Sequence, residues 1–563
     1  MQAVSVARRP LVVALVVFAV TLPAFLVLHS DSEPRPAISP SEAVAIARAN
    51  PQIHGQLSGS QATARVTVLD VEHQRVGFFR GSRLIVVALV GPHRTVTSAA
   101  PGSGIVGNRI ANERAPLIGL SVLFVLVLAT MPLLSLRNLD VLALASFTVS
   151  AWLTAHGLLD ASLYVAYPLL AYLTVRFLWM AWRGANSAHS TSLYWRVTSG
   201  WSAVERRRLL RFAAAGLAAM TAILTVSSSG VSDVGVASIA GATDLIHGVV
   251  PYGHIPDFII HGDTYPPLNY LIFVPVAALW PVTDAFSDPQ GALVLTALLT
   301  LLAAISVYRL IGRSQQRSSP PDQVHPASEP ADVAGLRGAV AWLTFPPVLL
   351  ATTSGSNDMV LAFCLLLVLG SVASARRSAM LLGIAAWVKV IPVVALPIWI
   401  ARMRRREALQ VIAGLAALSA AILGGLVALG GPGSITTMVD AMRFQFERRS
   451  LFSLLGDGAG LGPLQAVVQA LLLASVVGFS FAVRSDPALR DDPVRLAAML
   501  TALMLLSQLA ANYWSWAYTP WLIAPALLVL VPASAPGRVP EPAVSRSRVS
   551  ESVSTASELP VSA

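Results

Sequence analysis

The chain is poor in charge and nearly lacks cysteine and lysine. Only 12% of its 563 residues are charged, against roughly 25% in a soluble domain. That shortage excludes an ordinary soluble enzyme, and the 55% hydrophobic share excludes a disordered chain. A single cysteine, Cys364, lies within an apolar run, which excludes an intrachain disulfide framework. There is one lysine, Lys389; every other basic side chain, histidine aside, is an arginine, a bias typical of a GC-rich bacterial genome. A net charge of +10 would suggest nucleic acid in a soluble protein. Here arginines that hold cytoplasmic loops inside account for it, and no nucleic-acid partner is expected.

What is present is apolar sequence in long runs, with a mean hydropathy of +0.67. Such runs read as helices crossing a bilayer. Arg8-Arg9-Pro10 precedes an apolar stretch from Leu11 to Leu28 with no convincing small-residue cleavage site, so residues 1–28 read as a membrane anchor with a cytoplasmic N-terminus. Residues 29–115 are mixed in polarity. Ser39-Pro40 with Glu42 opens like a capped helix. Val66–Val71, Arg75–Arg80 and Leu84–Val90 read as short strands. This is expected to be a small extracytoplasmic α+β domain, distantly resembling PepSY-type modules, that serves as a spacer or binds an envelope partner.

Residues 116–182 read as three further spans, near 116–134, 139–158 and 161–182, and 183–211 as a basic cytoplasmic loop carrying Arg183, Arg196, Arg206, Arg207, Arg208 and Arg211. From 212 to 532 the chain alternates across the membrane, with spans near 212–229, 291–310, 338–354, 359–375, 408–430, 464–483, 496–512 and 518–532. Tyr265–Trp280, interrupted by Pro266, Pro267 and Pro275, reads as an interfacial or re-entrant helix. Counting it as a span would put the arginines of 309–337 outside. Residues 311–337 read as a flexible cytoplasmic linker, and 378–401 as two short helices broken at Lys389–Pro392. The total is about 14 crossings. Residues 533–563 read as a disordered cytoplasmic tail.

Polar groups at membrane depth are costly and therefore mark function. On this topology they gather at the outer ends of spans. Asp233 follows a span end, where a carboxylate beside lipid can act as a general base, although aspartate is also a common helix cap. His247, His254 and His261 recur at sevens but lack the tight spacing of a zinc site, so no metal is expected. His254, Asp263 and Tyr265 read as polar contacts to substrate, as do Asn357 and Asp358 at an outer turn. Lys389, Arg448 and Arg449 are cations suited to a lipid phosphate. Tyr513 and Trp514, within Asn512–Tyr518, belong to an aromatic belt that also suits stacking on a sugar.

In order, Ser232-Asp233-Val234, Gly248–Tyr252, Thr264–Leu268, Gly355–Asp358, Gly383–Pro392, Arg449–Ser453 and Asn512–Tyr518 resemble the GT-C superfamily of membrane glycosyltransferases, most of all glycosyltransferase family 87. The resemblance covers Arg211 to Pro532 and leaves residues 1–210 unaccounted for. It implies a polytopic α-helical membrane protein of GT-C type, here with the small N-terminal extracytoplasmic α+β domain. It further implies transfer of a hexose, mannose favoured, from a polyprenyl-phosphate donor to an envelope glycolipid or glycan acceptor, as in actinobacterial envelopes. The reaction would invert the anomeric carbon without a metal or cofactor. The family's loop aspartate, its catalytic base, corresponds by position to Asp233. Membrane lipids flank the site, which would lie outside a cell membrane that the chain crosses many times. Two other classes compete. A transporter of a lipid-linked or anionic substrate would place its polar site at mid-membrane, usually between internal repeats, and no repeat is visible. A scaffold or sensor would leave the Asp233 cluster without a role.

Overall fold

The computed structural model describes residues 38–531, apart from 58–60, 69–73, 81–82, 92, 102–113, 156–157, 185–190, 229–230, 256–258, 260–261, 284–286, 288, 319–328, 448–452, 454–461 and 512. The expected anchor at 1–28 and tail at 533–563 lie outside the described residues.

The N-terminal domain pairs two short helices with a four-stranded antiparallel meander. Helix α1 (Pro40–Ala49) starts where expected: Ser39 Oγ accepts from the Glu42 amide and Pro40 occupies the first turn. Helix α2 (Pro51–Leu57) follows. The strands β1 (Thr63–Val68), β2 (Gln74–Arg80), β3 (Arg83–Val90) and β4 (Val96–Pro101) pair in chain order. Strand alternation gives the sheet two unlike faces. Val76, Phe78, Val86, Ala88 and Val90 pack with Ile38, Ala43, Ala47 and Ile53 from the helix side. The opposite face carries Arg75 and Phe79, with the Arg65 guanidinium 5.0 Å from the Phe79 ring centre.

The rest is helical. Helices α3 (Arg114–Leu128), α4 (Leu136–Ala155) and α5 (Leu159–Arg183) come first, then short α6 (Leu193–Val197), α7 (Ala203–Val226) and α8 (Asp233–Ile246). Next are α9 (Pro267–Ala277), α10 (Gln290–Ser318), α11 (Ala331–Thr344), α12 (Pro346–Thr353), α13 (Asp358–Gly370) and α14 (Ala375–Val388). A 3₁₀ turn over Ile391–Ala395 leads into α15 (Leu396–Ala401), followed by α16 (Arg405–Gly430), α17 (Gly433–Glu447), α18 (Gly462–Ser485), α19 (Pro487–Arg490), α20 (Pro493–Ala510) and α21 (Thr519–Leu530). Among the described residues seven helices are long and apolar enough to cross a membrane, or eight with the bent pair α11–α12. Five shorter apolar helices join them, including α9, which is too short to span by itself. The protein is thus a polytopic helical membrane protein. Burial sorts its helices: 83% of the apolar window of α20 is buried, against 11% for α16, so α20 forms the centre and α16 faces lipid.

Three boundaries differ from the sequence reading. The basic loop expected at 183–211 ends early, because α7 begins at Ala203. Ser202 and Glu205 form a capping box, and Arg206 turns inward to donate to the carbonyls of Thr198, Ser199 and Trp201. The linker expected at 311–337 is largely helical: α10 runs to Ser318 and α11 starts at Ala331. Arg337, read as a loop charge, is fully buried against Glu329 at 2.9 Å, a partner that offsets the cost of burying its charge. The span expected at 338–354 is bent by 57° at Phe345, where Pro346 and Pro347 cannot continue the helical hydrogen bonding of α11. The break expected at Lys389–Pro392 is present: α14 ends at Val388 and Lys389 is extended.

Hydroxyls lock the bend in place. Thr300 Oγ1 meets Thr352 Oγ1 at 2.7 Å, Thr296 Oγ1 donates to the Thr352 carbonyl at 2.9 Å, and Trp342 Nε1 donates to the Thr300 carbonyl at 3.1 Å. Without a hydrophobic drive between helices in lipid, such polar links and close packing fix their positions.

Candidate active site

Two turns, brought together from distant parts of the chain, build the site. One precedes α8: Ser232 caps the helix, and Asp233 occupies its first turn, where the helix dipole favours a carboxylate. The other, Ser354-Gly355-Ser356-Asn357, joins α12 to α13. The Ser232 amide donates to the Ser354 carbonyl at 2.7 Å, tying the two turns together. Their approach depends on two glycines. Gly355 has φ +64°, and a side chain at Gly235 would collide with the Gly355 carbonyl.

Asp358 is the hub of the second turn. It is 1% exposed, and its carboxylate is fully engaged. Oδ1 accepts from Trp521 Nε1 at 2.9 Å and from Lys389 Nζ, while Oδ2 accepts from Ser356 Oγ at 2.8 Å. Lys389 thus belongs to a buried ion pair. An ammonium has three donors, and Asp358 takes one. The ammonium also lies 5.1 Å from the Tyr518 ring centre and 5.7 Å from that of Tyr265, within cation–π range. Tyr518 in turn stacks edge-on against Tyr513 and Trp514 and tilts against Trp521. Burial first, then the charge of Asp233, then Tyr518 and Asp358, hold the Tyr265 phenol well above its usual pKa, so that it stays a neutral donor.

Asp233 stands apart from this buried pair. Its side chain is 54% exposed, with Oδ1 accepting from the Val234 amide at 3.0 Å. Its Oδ2 is 3.9 Å from Arg75 Nη2 of β2. The carboxylate is therefore open to an incoming hydroxyl, whereas that of Asp358 is buried beneath three donors.

The other residues singled out from sequence fall into distinct settings. Asn357 is fully buried; its amide donates to Asn269 Oδ1 at 3.1 Å and Ser238 Oγ at 3.3 Å, bracing α8 and α9 against the turn. Asp263 accepts from the Gly253 amide at 3.2 Å and closes its own loop. His254 is exposed and its ring contacts the Tyr252 carbonyl at 3.1 Å. Trp514 is 2% exposed, with its ring 5.5 Å from that of Phe147 on α4. Arg448, Arg449 and His261 lie outside the described residues. Gln445, near the end of α17, donates to Thr264 Oγ1 at 2.6 Å and ties the end of α17 to the loop of Tyr265.

Sequence reasoning missed Trp521 and Arg75. Trp521 sits in a continuous apolar run and Arg75 in an alternating strand, so neither carried a local signal; only the chain's folding gives them a carboxylate partner. No curated protein matches the chain. A family model, glycosyltransferase family 87, matches residues 264–535, a stretch that contains Tyr265, Asp358, Lys389, Tyr518 and Trp521 and begins after Asp233. Over that stretch the chain is similar to glycosyltransferase family 87, and the match, together with the many-helix membrane fold, indicates a membrane glycosyltransferase.

Proposed function

We propose that the protein transfers a hexose, mannose favoured, from a polyprenyl-phosphate sugar to an envelope glycolipid or glycan, with inversion, on the outer side of the cell membrane. The observation that carries this reading is Lys389. A lone ammonium between apolar helices is held by Asp358 with donors to spare and aromatic rings beside it, a setting that suits a phosphate whose sugar stacks on tyrosine.

The residues divide the work as follows. Lys389, aided by Arg448 and Arg449, neutralises the donor phosphate. Tyr265 and Tyr513 contact the sugar, Trp514 packs behind Tyr518, and His254 and Asp263 rim the opening. Asn357 and Asp358 keep the turn and the ammonium in place. Asp233 accepts the proton of the acceptor hydroxyl as its oxygen attacks the anomeric carbon from the face opposite the phosphate. The bond from the anomeric carbon to the phosphate oxygen breaks, its electron pair leaving with polyprenyl phosphate. A phosphate held by cations departs without a general acid, so one base suffices. Both termini and residues 311–337 would face the cytoplasm, and 230–290 and 431–463 the outside, by the distribution of arginines. The transport alternative leaves the family match and the exposed carboxylate without a use.

The test is product analysis. Membranes containing the protein are given polyprenyl-phosphate mannose, glucose or arabinose, each radiolabelled in the sugar. Labelled glycolipid or glycan from the mannose donor, absent with Asp233→Asn, is the expected result. Label transferred only from a nucleotide sugar would overturn the donor assignment. In a Cys364→Ser background, a thiol reagent that cannot cross the membrane should label a cysteine at position 457 from outside and not one at 319. The reverse pattern would overturn the sidedness.

A further inference from the structure

We infer that the N-terminal domain is a roof over the acceptor side of the site, with Arg75 as a positioning residue for Asp233; this rests on the reading of Asp233 as the base. The domain lies outside the family match, yet it reaches the site. Arg75 Nη2 is 3.9 Å from Asp233 Oδ2, and the guanidinium is only 25% exposed although it sits on a strand of a small sheet.

The two faces of the sheet explain the direction. The face bearing Val76, Phe78, Val86, Ala88 and Val90 is already covered by α1 and α2. Arg75 belongs to the other face, the one without helices, and that is the face turned to the start of α8. Phe79, four residues along on the same face, is 2% exposed beneath Arg65. The sheet therefore presents a guanidinium, backed by apolar packing, to an exposed carboxylate of the site.

Position decides which substrate this concerns. Lys389 marks the donor phosphate, and an inverting transfer places base and leaving group on opposite faces of the anomeric carbon. Asp233 must then face the acceptor hydroxyl, and Arg75 stands beside it on that side. At 3.9 Å the pair is too long for a tight hydrogen bond and too exposed for a strong ion pair, so it steers the carboxylate without locking it. The hydroxyl-bearing end of the acceptor passes between the helix-free face of the sheet and the first turn of α8. The α+β domain is thereby a determinant of acceptor choice rather than a spacer.

Two measurements on the full chain in membranes test this. In the Cys364→Ser background, Arg75→Cys and Asp233→Cys should be joined by a short bifunctional maleimide, a readout of docking that needs no activity. With native Asp233, Arg75→Ala should lower kcat/KM for the acceptor about three- to tenfold, mainly through acceptor KM, with donor affinity unchanged and partial rescue by Arg75→Lys. Absence of the cross-link would overturn the roof. A cross-link with unchanged acceptor kinetics in Arg75→Ala would overturn the role of Arg75. A cross-link and an Arg75→Ala defect, with Asp233→Asn still active, would retain the roof and remove Asp233 as the base.

Discussion

Two buried charge clusters lie toward opposite ends of α10, and they are built differently. One surrounds Glu329 and Asp140. Arg337 pairs with Glu329 at 2.9 Å, and Arg176 grips Asp140 with two contacts at 2.8 and 2.9 Å while Tyr172 adds a third at 2.8 Å. The other surrounds Asp358, Lys389 and Asp233. Gly338 of α11 packs at Ile311 and Gly355 at Ala292, positions about 28 Å apart along α10, close to the thickness of a bilayer's apolar core. In the first cluster both acids are buried, Asp140 in the fork of Arg176 and Glu329 against one nitrogen of Arg337. In the second an acid is saturated so that a cation can keep donors free, and a second acid remains exposed. Burial of a charge alone therefore does not mark function here. The mark is an ion pair beside aromatic rings, with a second, exposed acid nearby.

The comparison can be broken most sharply at Asp233. Asp233→Asn should lower transfer by about 100- to 10,000-fold while donor binding survives, measured by turnover and by polyprenyl-phosphate affinity. If Asp263→Asn abolished transfer and Asp233→Asn did not, the base would move to Asp263. The structural cluster should respond in the other currency. Arg337→Leu leaves Glu329 buried and unpaired and should cost roughly 3–5 kcal/mol, read from thermal denaturation in detergent. The double variant Glu329→Leu with Arg337→Leu should recover much of that loss. A functional role for this cluster would instead appear as lost turnover in a stable double variant.

Lys389→Ala should weaken polyprenyl phosphate binding about 10- to 100-fold, the worth of a charge-assisted hydrogen bond of roughly 1.5–3 kcal/mol. Unchanged affinity in that variant would make Lys389 as structural as Arg337. Trp521→Phe removes one donor to Asp358 and should destabilise the protein by roughly 1.5 kcal/mol. If Asp358 acts only through Lys389, this variant should weaken the phosphate less than Lys389→Ala does.

The smallest effect concerns Asp244, on the third turn of α8 beyond Asp233. Burial pushes its carboxyl up to about 6, with His254 and His247 pulling the other way. The folded state thus keeps a proton that the unfolded chain has released. Stability should fall as pH rises from about 4 to about 6, and the penalty is complete above that. Asp244→Asn should flatten this slope and raise stability at neutral pH by less than about 1 kcal/mol, the half-exposed setting limiting the gain. A variant with the same pH slope as the parent would assign the slope to other groups.

Much of this molecule is legible residue by residue. The apolar runs announce helices because bare backbone polar groups cannot sit in lipid. Ser39 and Glu42 announce the start of α1, and alternation announces β1 to β3. The prolines after Lys389 announce a break, since they carry no amide to continue the ladder. The polar groups at span ends are visible as candidates because they are costly there. What stays hidden is pairing. Arg337 reads as a loop arginine until Glu329 is found beside it.

Sequence alone therefore determined the fold class and the gathering of polar residues at span ends, since lipid acts on each segment independently of its neighbours. Tertiary structure alone decided that Lys389 belongs to Asp358 and Trp521, that Asn357 braces α8 and α9, and that Arg75 reaches Asp233. Those partners are up to 163 residues apart, as with Trp521 and Asp358. No local propensity encodes such distances; they follow from close packing of helices and from the need of every buried charge for a partner.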